Sequence, residues 1–368
     1  MLPVRLVTAP GGLPAGARVV AVDGSWPESV EPRRTGGLHL AHWPGNDTPA
    51  DLKRDLSTEI AFAFLDLAET DRATRIQGCE ALVLNHYDTD GVCAMLALSR
   101  PEVALPHRDR LIEVAASGDL FEVRSERAFA IDAALRNLAD PARSGRTFAR
   151  DAAGRQALLE AALDLLALLL EDDAAAPELW RDDVRALSAD RDDLDAALHD
   201  DLVYMDLGVW TAPTERVSSR AGAGAAFDPG RHALLASGRH DRALVLGPGA
   251  AGTTARLVLG TRSFFDLVSR EPSARPDLPA LAERLASLEG RREDGAAWRF
   301  QDPTGASPEL WFGADELPLY AEHAGAALAP SRIEANEIKR MVLDAVRDAW
   351  VLPDDDDEAD DGEDIFAV

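Results

Sequence analysis

The chain has 368 residues, 46% of them hydrophobic, which is enough for two cores, because single cores seldom grow beyond roughly 250 to 300 residues. Its formal net charge of −27 repels phosphate backbones and anionic membranes at long range, which argues against a duplex nucleic acid held in a broad basic groove. Two cysteines, Cys79 and Cys93, are too few for a disulfide framework in a chain of this size.

In chain order, short β-rich runs come first, at Val4 to Val7, Arg18 to Val22 and Leu38 to Ala41, separated by Pro and Gly. Met1 to Thr8 lacks the long apolar core of a signal peptide. Leu52 to Leu67 then carries Leu56, Ile60, Ala63, Phe64 and Leu67 at helical spacing. A strand at Leu82 to Asn85 leads into an apolar helix at Val92 to Leu98. Arg110 to Ser117, Arg127 to Leu138, Arg155 to Leu170 and Asp182 to Leu198 follow as helices covering one face of a sheet. The most apolar stretch, Ala157 to Leu170, is broken by Glu160 and Asp164 and is too short to span a bilayer. A cytoplasmic protein without a membrane partner is expected.

Leu202 to Leu207 reads as a returning strand. Beyond it come shorter strands at Ala243 to Leu246, Ala255 to Leu259, Trp298 to Phe300 and Leu310 to Phe312, with helices at Leu278 to Leu288 and Arg332 to Trp350. Gly247-Pro-Gly249-Ala-Ala-Gly252 satisfies G-x-G-x-x-G formally. The β character of Thr253 to Leu259, where a dinucleotide site needs a helix, makes it a hairpin loop. Alternating strands and helices predict an α/β fold with a largely parallel sheet flanked by helices, followed by a second, smaller α+β domain. The expected units are residues 1–210 and 228–350, with a disordered acidic tail at 351–368.

The most informative stretch is Leu82-Val-Leu-Asn-His86-Tyr-Asp88-Thr-Asp90-Gly91. A strand sends residues i, i+2 and i+4 to one side, so His86, Asp88 and Asp90 converge if the extended backbone persists that far. One imidazole and two carboxylates suit Mn²⁺, Fe²⁺, Zn²⁺ or Mg²⁺, whereas a plain Asp-rich turn would hydrogen-bond only its own backbone. Parallel sheets collect ligands at the carboxyl ends of their strands, where this loop lies.

The pattern resembles the first motif, H-x-D-x-D-G, of the DHH phosphoesterase superfamily over about fifteen residues. The resemblance implies a metal-binding core, Mn²⁺ as the preferred ion, and hydrolysis of a small phosphorylated substrate with Asp88, Asp90 and Asp119 at the reaction centre. It also implies that Asp119, after Gly118, supplies a later carboxylate, and that Asp206, in the apolar run Val203-Tyr-Met-Asp-Leu, bridges two metals. The chain departs from the family by lacking Asp-His-His, and Gly238-Arg-His240 matches the Gly-Gly-His signature poorly.

His39 and His42 face opposite sides of a regular strand, and His42, nearer the loop, is the candidate for contacting substrate or metal. Arg262 and Arg275 are candidate phosphate contacts, because guanidinium forks match phosphate oxygens. Asp354 to Asp364 holds nine acidic residues ahead of Ile365-Phe-Ala-Val368, the form of a docking motif for a protein partner on a charged tether. Two functions follow as expectations: a divalent-metal-dependent phosphohydrolase, or a non-catalytic metal-binding or regulatory protein that recruits a partner through its tail.

Overall fold

A computed structural model describes residues 2–7, 16–25, 36–213 and 227–350. Strands β1 (Val4–Leu6), β2 (Val19–Val22), β3 (Leu38–Leu40) and β4 (Ala81–Leu84) form a parallel sheet in the order β1-β4-β2-β3. Central parallel strands are covered on both faces and read as unbroken apolar runs. Every residue of β2 and β4 is accordingly buried, in a register that pairs Val19 with Ala81 and Val22 with Leu84.

Period-two alternation divides their side chains. Val20, Val22, Leu82 and Leu84 enter the main core, while Val19, Ala21, Ala81 and Val83 form a small cluster on the other face. Helices Ser57–Leu65, Thr89–Ser99, Arg108–Leu120, Glu126–Leu138 and Ala152–Glu171 supply most of the rest of that main core, and Phe265 enters it from the second half of the chain. Thr89–Ser99 lies at its centre, with every residue except Leu98 buried, as a helix apolar on all sides must be.

The second sheet is mixed. It runs β5-β6-β7-β8-β10-β9 from β5 (Leu198–Leu202), β6 (Leu207–Thr211), β7 (Arg242–Gly249), β8 (Gly252–Leu259), β9 (Ala297–Phe300) and β10 (Glu309–Gly313). Only β6 and β7 pair in parallel. Helices Leu278–Glu289 and Ala335–Asp348 pack beneath it around Leu244, Leu257 and Phe312. The chain is therefore α/β, with two sheets flanked by helices. Among the described residues no helix is long and apolar enough to cross a membrane.

Three local expectations change. The run Leu202 to Leu207 is not one strand, because a 3₁₀ turn, Val203–Met205, and a left-handed Asp206 separate β5 from β6. Both strands join the second sheet, so the change of sheet falls before Leu198 and not at residues 210 to 228. The helix expected at Arg110 to Ser117 runs from Arg108 through Gly118 to Leu120 and stops where Phe121 turns left-handed. The Gly247–Gly252 loop is the β7–β8 hairpin, closed by Gly249 opposite Gly252. The acidic tail and the Gly-rich residues 220–226 lie outside the described residues.

Candidate metal centre

Four elements of the parallel layer deliver acidic and imidazole side chains to one place. β2 ends at Val22, and Asp23 follows it with a left-handed backbone (φ 49°) and no exposed surface. β3 ends two residues before His42, and β4 leads through Asn85 to His86 and Asp88. Asp90 sits in the first turn of Thr89–Ser99, and Asp119 in the last turn of Arg108–Leu120.

These side chains fall into two groups that share Asp23. Asp23, His42, Asp90 and Asp119 form a buried group, and Asp23, His86 and Asp88 a more open one; within each, ligand atoms lie within 4.8 Å of one another. His42 Nε2 is 3.1 Å from Asp119 Oδ2, 3.6 Å from Asp90 Oδ2 and 3.6 Å from Asp23 Oδ1. His86 Nε2 is 3.2 Å from Asp23 Oδ2 and 2.5 Å from Asp88 Oδ2. Asp23 thus turns one oxygen to each group. The His86 and Asp88 side chains remain 30% and 26% exposed, so the second group is the one that opens to a ligand.

The outer partners fix the orientation of each donor. His42 Nδ1 donates to the Asp55 carbonyl at 2.5 Å and His86 Nδ1 to Asn85 Oδ1 at 2.5 Å. Both acceptors can only accept, so each ring must present Nε2 to the carboxylates, the arrangement that orients metal-binding histidines. Ser57 Oγ donates to Asp23 Oδ1 at 2.7 Å, and the Ser57 and Thr58 amides donate to Asp90 at 2.7 and 2.8 Å. Asp88 caps Thr89–Ser99 by accepting from the Gly91 amide at 2.8 Å. A Cβ on Gly91 would come within 2.6 Å of Leu84 Cδ1 and 2.8 Å of Asp88 Oδ1.

The crowding of these charges shifts their proton affinities, as a group able to hold a cation would show. Burial, reinforced by Asp23 and Asp88, lifts Asp90 to about 7, although His42 opposes the rise. Burial and the neighbouring carboxylates push Asp119 well above the usual range. Burial would depress His42, but Asp119, Asp90 and Asp23 outweigh it and raise the imidazole to about 9. His86 is raised well above its ordinary value by Asp88 and Asp23 against the same desolvation. Without a metal, protons occupy the positions that bare Nε2 lone pairs and carboxylates cannot share. Two divalent cations would balance the four carboxylates with both rings neutral.

The family model described as "Family of unknown function (DUF6687)" matches residues 13–357. The chain belongs to this family. No curated protein matches it.

In this DUF6687 protein the motif residues converge by a route different from strand alternation. The helix begins at Thr89, so Asp90 takes its direction from the first helical turn and enters the buried group, while Asp88, still extended as the N-cap, forms the open one with His86. His42 and Asp119 join the cluster. His39 does not: its ring meets the Gly24 carbonyl at 3.3 Å and the Asp47 amide at 3.1 Å.

Asp206 lies in the second sheet, accepting from Arg270 at 2.5 Å, Ser273 at 2.7 Å and the Asp241 amide at 2.9 Å, and is no part of the cluster. Arg262 is spent on Glu122 at 2.8 Å and the Leu120 carbonyl at 3.2 Å. Arg275 holds the carbonyls of Pro303, Gly305 and Ala306. Neither guanidinium reaches the cluster. The residue that sequence reading missed is Asp23, whose signal is an apolar run ending in Asp-Gly, Val19-Val-Ala-Val-Asp23-Gly24.

Proposed function

We propose that this protein is a divalent-metal-dependent phosphohydrolase acting on a small phosphoester or phosphoanhydride. The observation that carries the reading is Asp23, a buried carboxylate in a left-handed backbone that offers one oxygen to each of two histidine-containing ligand groups. Backbone strain of this kind persists where the surroundings over-determine it. The likeness of His86 to Gly91 to the first DHH motif supports the same reading.

The donor set, four carboxylates and two imidazoles, suits Mn²⁺, with Mg²⁺, Fe²⁺ or Zn²⁺ as alternatives. His42, Asp23, Asp90 and Asp119 would hold one ion and His86, Asp88 and Asp23 the other. A bound pair supplies charge neutralisation at phosphoryl oxygens and acidifies water. Asp55 and Asn85 keep both rings aimed inward, and Thr261 ties the Asp119 carbonyl to the second half of the chain. Water adds across a P–O bond in the net reaction, its oxygen going to phosphorus and a proton to the departing oxygen.

The missing Asp-His-His favours a second reading, a non-catalytic metal-binding or regulatory protein. Metal analysis after Mn²⁺ loading, paired with a panel of phosphoesters, separates the two. Two equivalents per chain with Mn²⁺-dependent turnover, both reduced by Asp23→Asn, support the hydrolase. Metal uptake with no turnover over the panel leaves the binding protein, and no metal uptake removes the hydrolase and leaves a regulatory protein that works without a metal.

A further inference from the structure

A cavity of about 350 Å³ adjoins the open ligand group, between the two halves of the chain. Aromatic side chains from both halves line it: Trp43, Tyr87 and Phe121 from the first, Phe265 and Tyr320 from the second. Phe121 and Tyr320 both hold left-handed backbones, at φ 54° and 57°, a conformation bulky L residues avoid. Tyr320 is 51% exposed, and among the described residues nothing hydrogen-bonds its hydroxyl. An aromatic held in a strained backbone and half open toward a cavity presents its ring to whatever enters there. The buried Arg231 guanidinium stiffens the wall from behind, 5.0 Å from the Phe121 ring and 5.8 Å from Tyr320, with its terminal amino groups turned to Glu309 and Ser307.

The charges around the cavity restrict what enters. His232 borders it with Nδ1 given to Glu322 at 2.7 Å and Nε2 to the Ser117 carbonyl at 3.0 Å. Arg136 also borders it, but its Nε is held by Asp132 at 3.1 Å, and Glu322 and Asp183 act on the same guanidinium. Both cations are thus outnumbered by carboxylates. An anionic group finds its strongest attraction where the metals would sit, and a second phosphate would have to compete with Asp132 and Glu322 for Arg136, the one further exposed cation among the described residues of the wall.

We infer that the substrate of this site carries a single phosphoryl group esterified to an uncharged aromatic body, which packs against Tyr320, Phe121 and Trp43. This inference rests on the phosphohydrolase reading and narrows it, because it disfavours pyrophosphate, polyphosphates and oligonucleotides. Tyr320 is then a specificity residue.

Binding of non-hydrolysable probes to the full Mn²⁺-loaded chain tests the inference apart from turnover. Phenylphosphonate should bind roughly tenfold more tightly than methylphosphonate, the scale of one aromatic contact, and pyrophosphate no more tightly than methylphosphonate. Tyr320→Gly should shrink the phenyl advantage several-fold while leaving the Tm unchanged or higher, since glycine suits φ 57°; Tyr320→Phe should keep both. Equal binding of the two phosphonates, binding of neither, tighter pyrophosphate, or a lowered Tm in Tyr320→Gly would overturn it. Retained phenyl preference without turnover of any ester would instead sink the hydrolase reading alone. Equal kcat/KM for aryl and alkyl phosphates would sink the substrate assignment alone.

Discussion

Asp119 and Asp90 are both buried carboxylates beside His42, yet their removal should have different effects. Burial and the neighbouring carboxylates push the Asp119 carboxyl well above the usual range in the metal-free chain, and Asp119→Asn keeps its shape while removing one of the crowded acids. Its metal-free Tm should match the parent, while Mn²⁺ affinity, measured by calorimetric titration, should fall by at least the roughly 10- to 100-fold that losing an outer partner of a metal ligand costs. Asp90 also accepts the Ser57 and Thr58 amides, so Asp90→Ala strands two buried N–H groups at about 1 to 3 kcal/mol each. Chemical denaturation should show that loss without metal, and an unchanged midpoint would mean that the amides find other acceptors. Gly91→Ala should cost about 1 to 3 kcal/mol by overpacking, because the new methyl would press on Leu84 and on the carboxylate of Asp88.

At the scale of elements, what was legible in the sequence was local. Apolar runs marked β2, β3 and β4, and the punctuation of His86-Tyr-Asp88-Thr-Asp90-Gly91 marked a loop rich in ligands. The partition of those ligands was not legible, because it depends on Asp88 capping a helix that starts at Thr89, two residues before Gly91. Asp23 was missed because its role arises only when β2 lies beside β4 in parallel register, which no local spacing encodes. Asp206 misled for the opposite reason: an aspartate amid apolar residues needs partners, and Arg270 and Ser273 supply them far from the metal loop.

A second non-local contact yields a pH prediction. His232 bridges Glu322 in the second half and Asp132 in Glu126–Leu138; burial would lower its pKa, but these carboxylates raise it to about 9 against the repulsion of Arg136. A histidine raised in the folded state contributes stability that is fully present below about 6.5 and is lost as pH rises through 9. Denaturation midpoints should therefore fall between pH 7 and 9.5, where the raised His42 contributes as well, and His232→Gln should make that slope shallower. An identical slope in the variant would show that the imidazolium is not its source.

At the scale of the molecule, the cluster lies where the two halves meet. Phe265 stacks on His42 at 4.0 Å, the Asp266 amide donates to the His42 carbonyl at 2.8 Å, and the Val268 and Ser269 amides hold Asp55 Oδ1 at 2.7 and 2.9 Å. Asp55 in turn takes the Nδ1 proton of His42, so the segment from Thr261 to Ser269 orients a ligand from the other half of the chain. Any ion bound there needs both halves in place, and its binding energy becomes folding energy for the whole molecule. A ligand that binds only the folded state adds about 2.7 kcal/mol at a free concentration of 100 Kd. The Tm should thus climb with the logarithm of Mn²⁺ concentration and fall on chelation. Phe265→Ala should weaken that climb as well as lowering the starting Tm, because it uncovers the ring that the ion must share. If chelator and Mn²⁺ leave the Tm of the parent chain unmoved, no ion binds at the seam, and the clustered aspartates and histidines serve the fold through their protons alone.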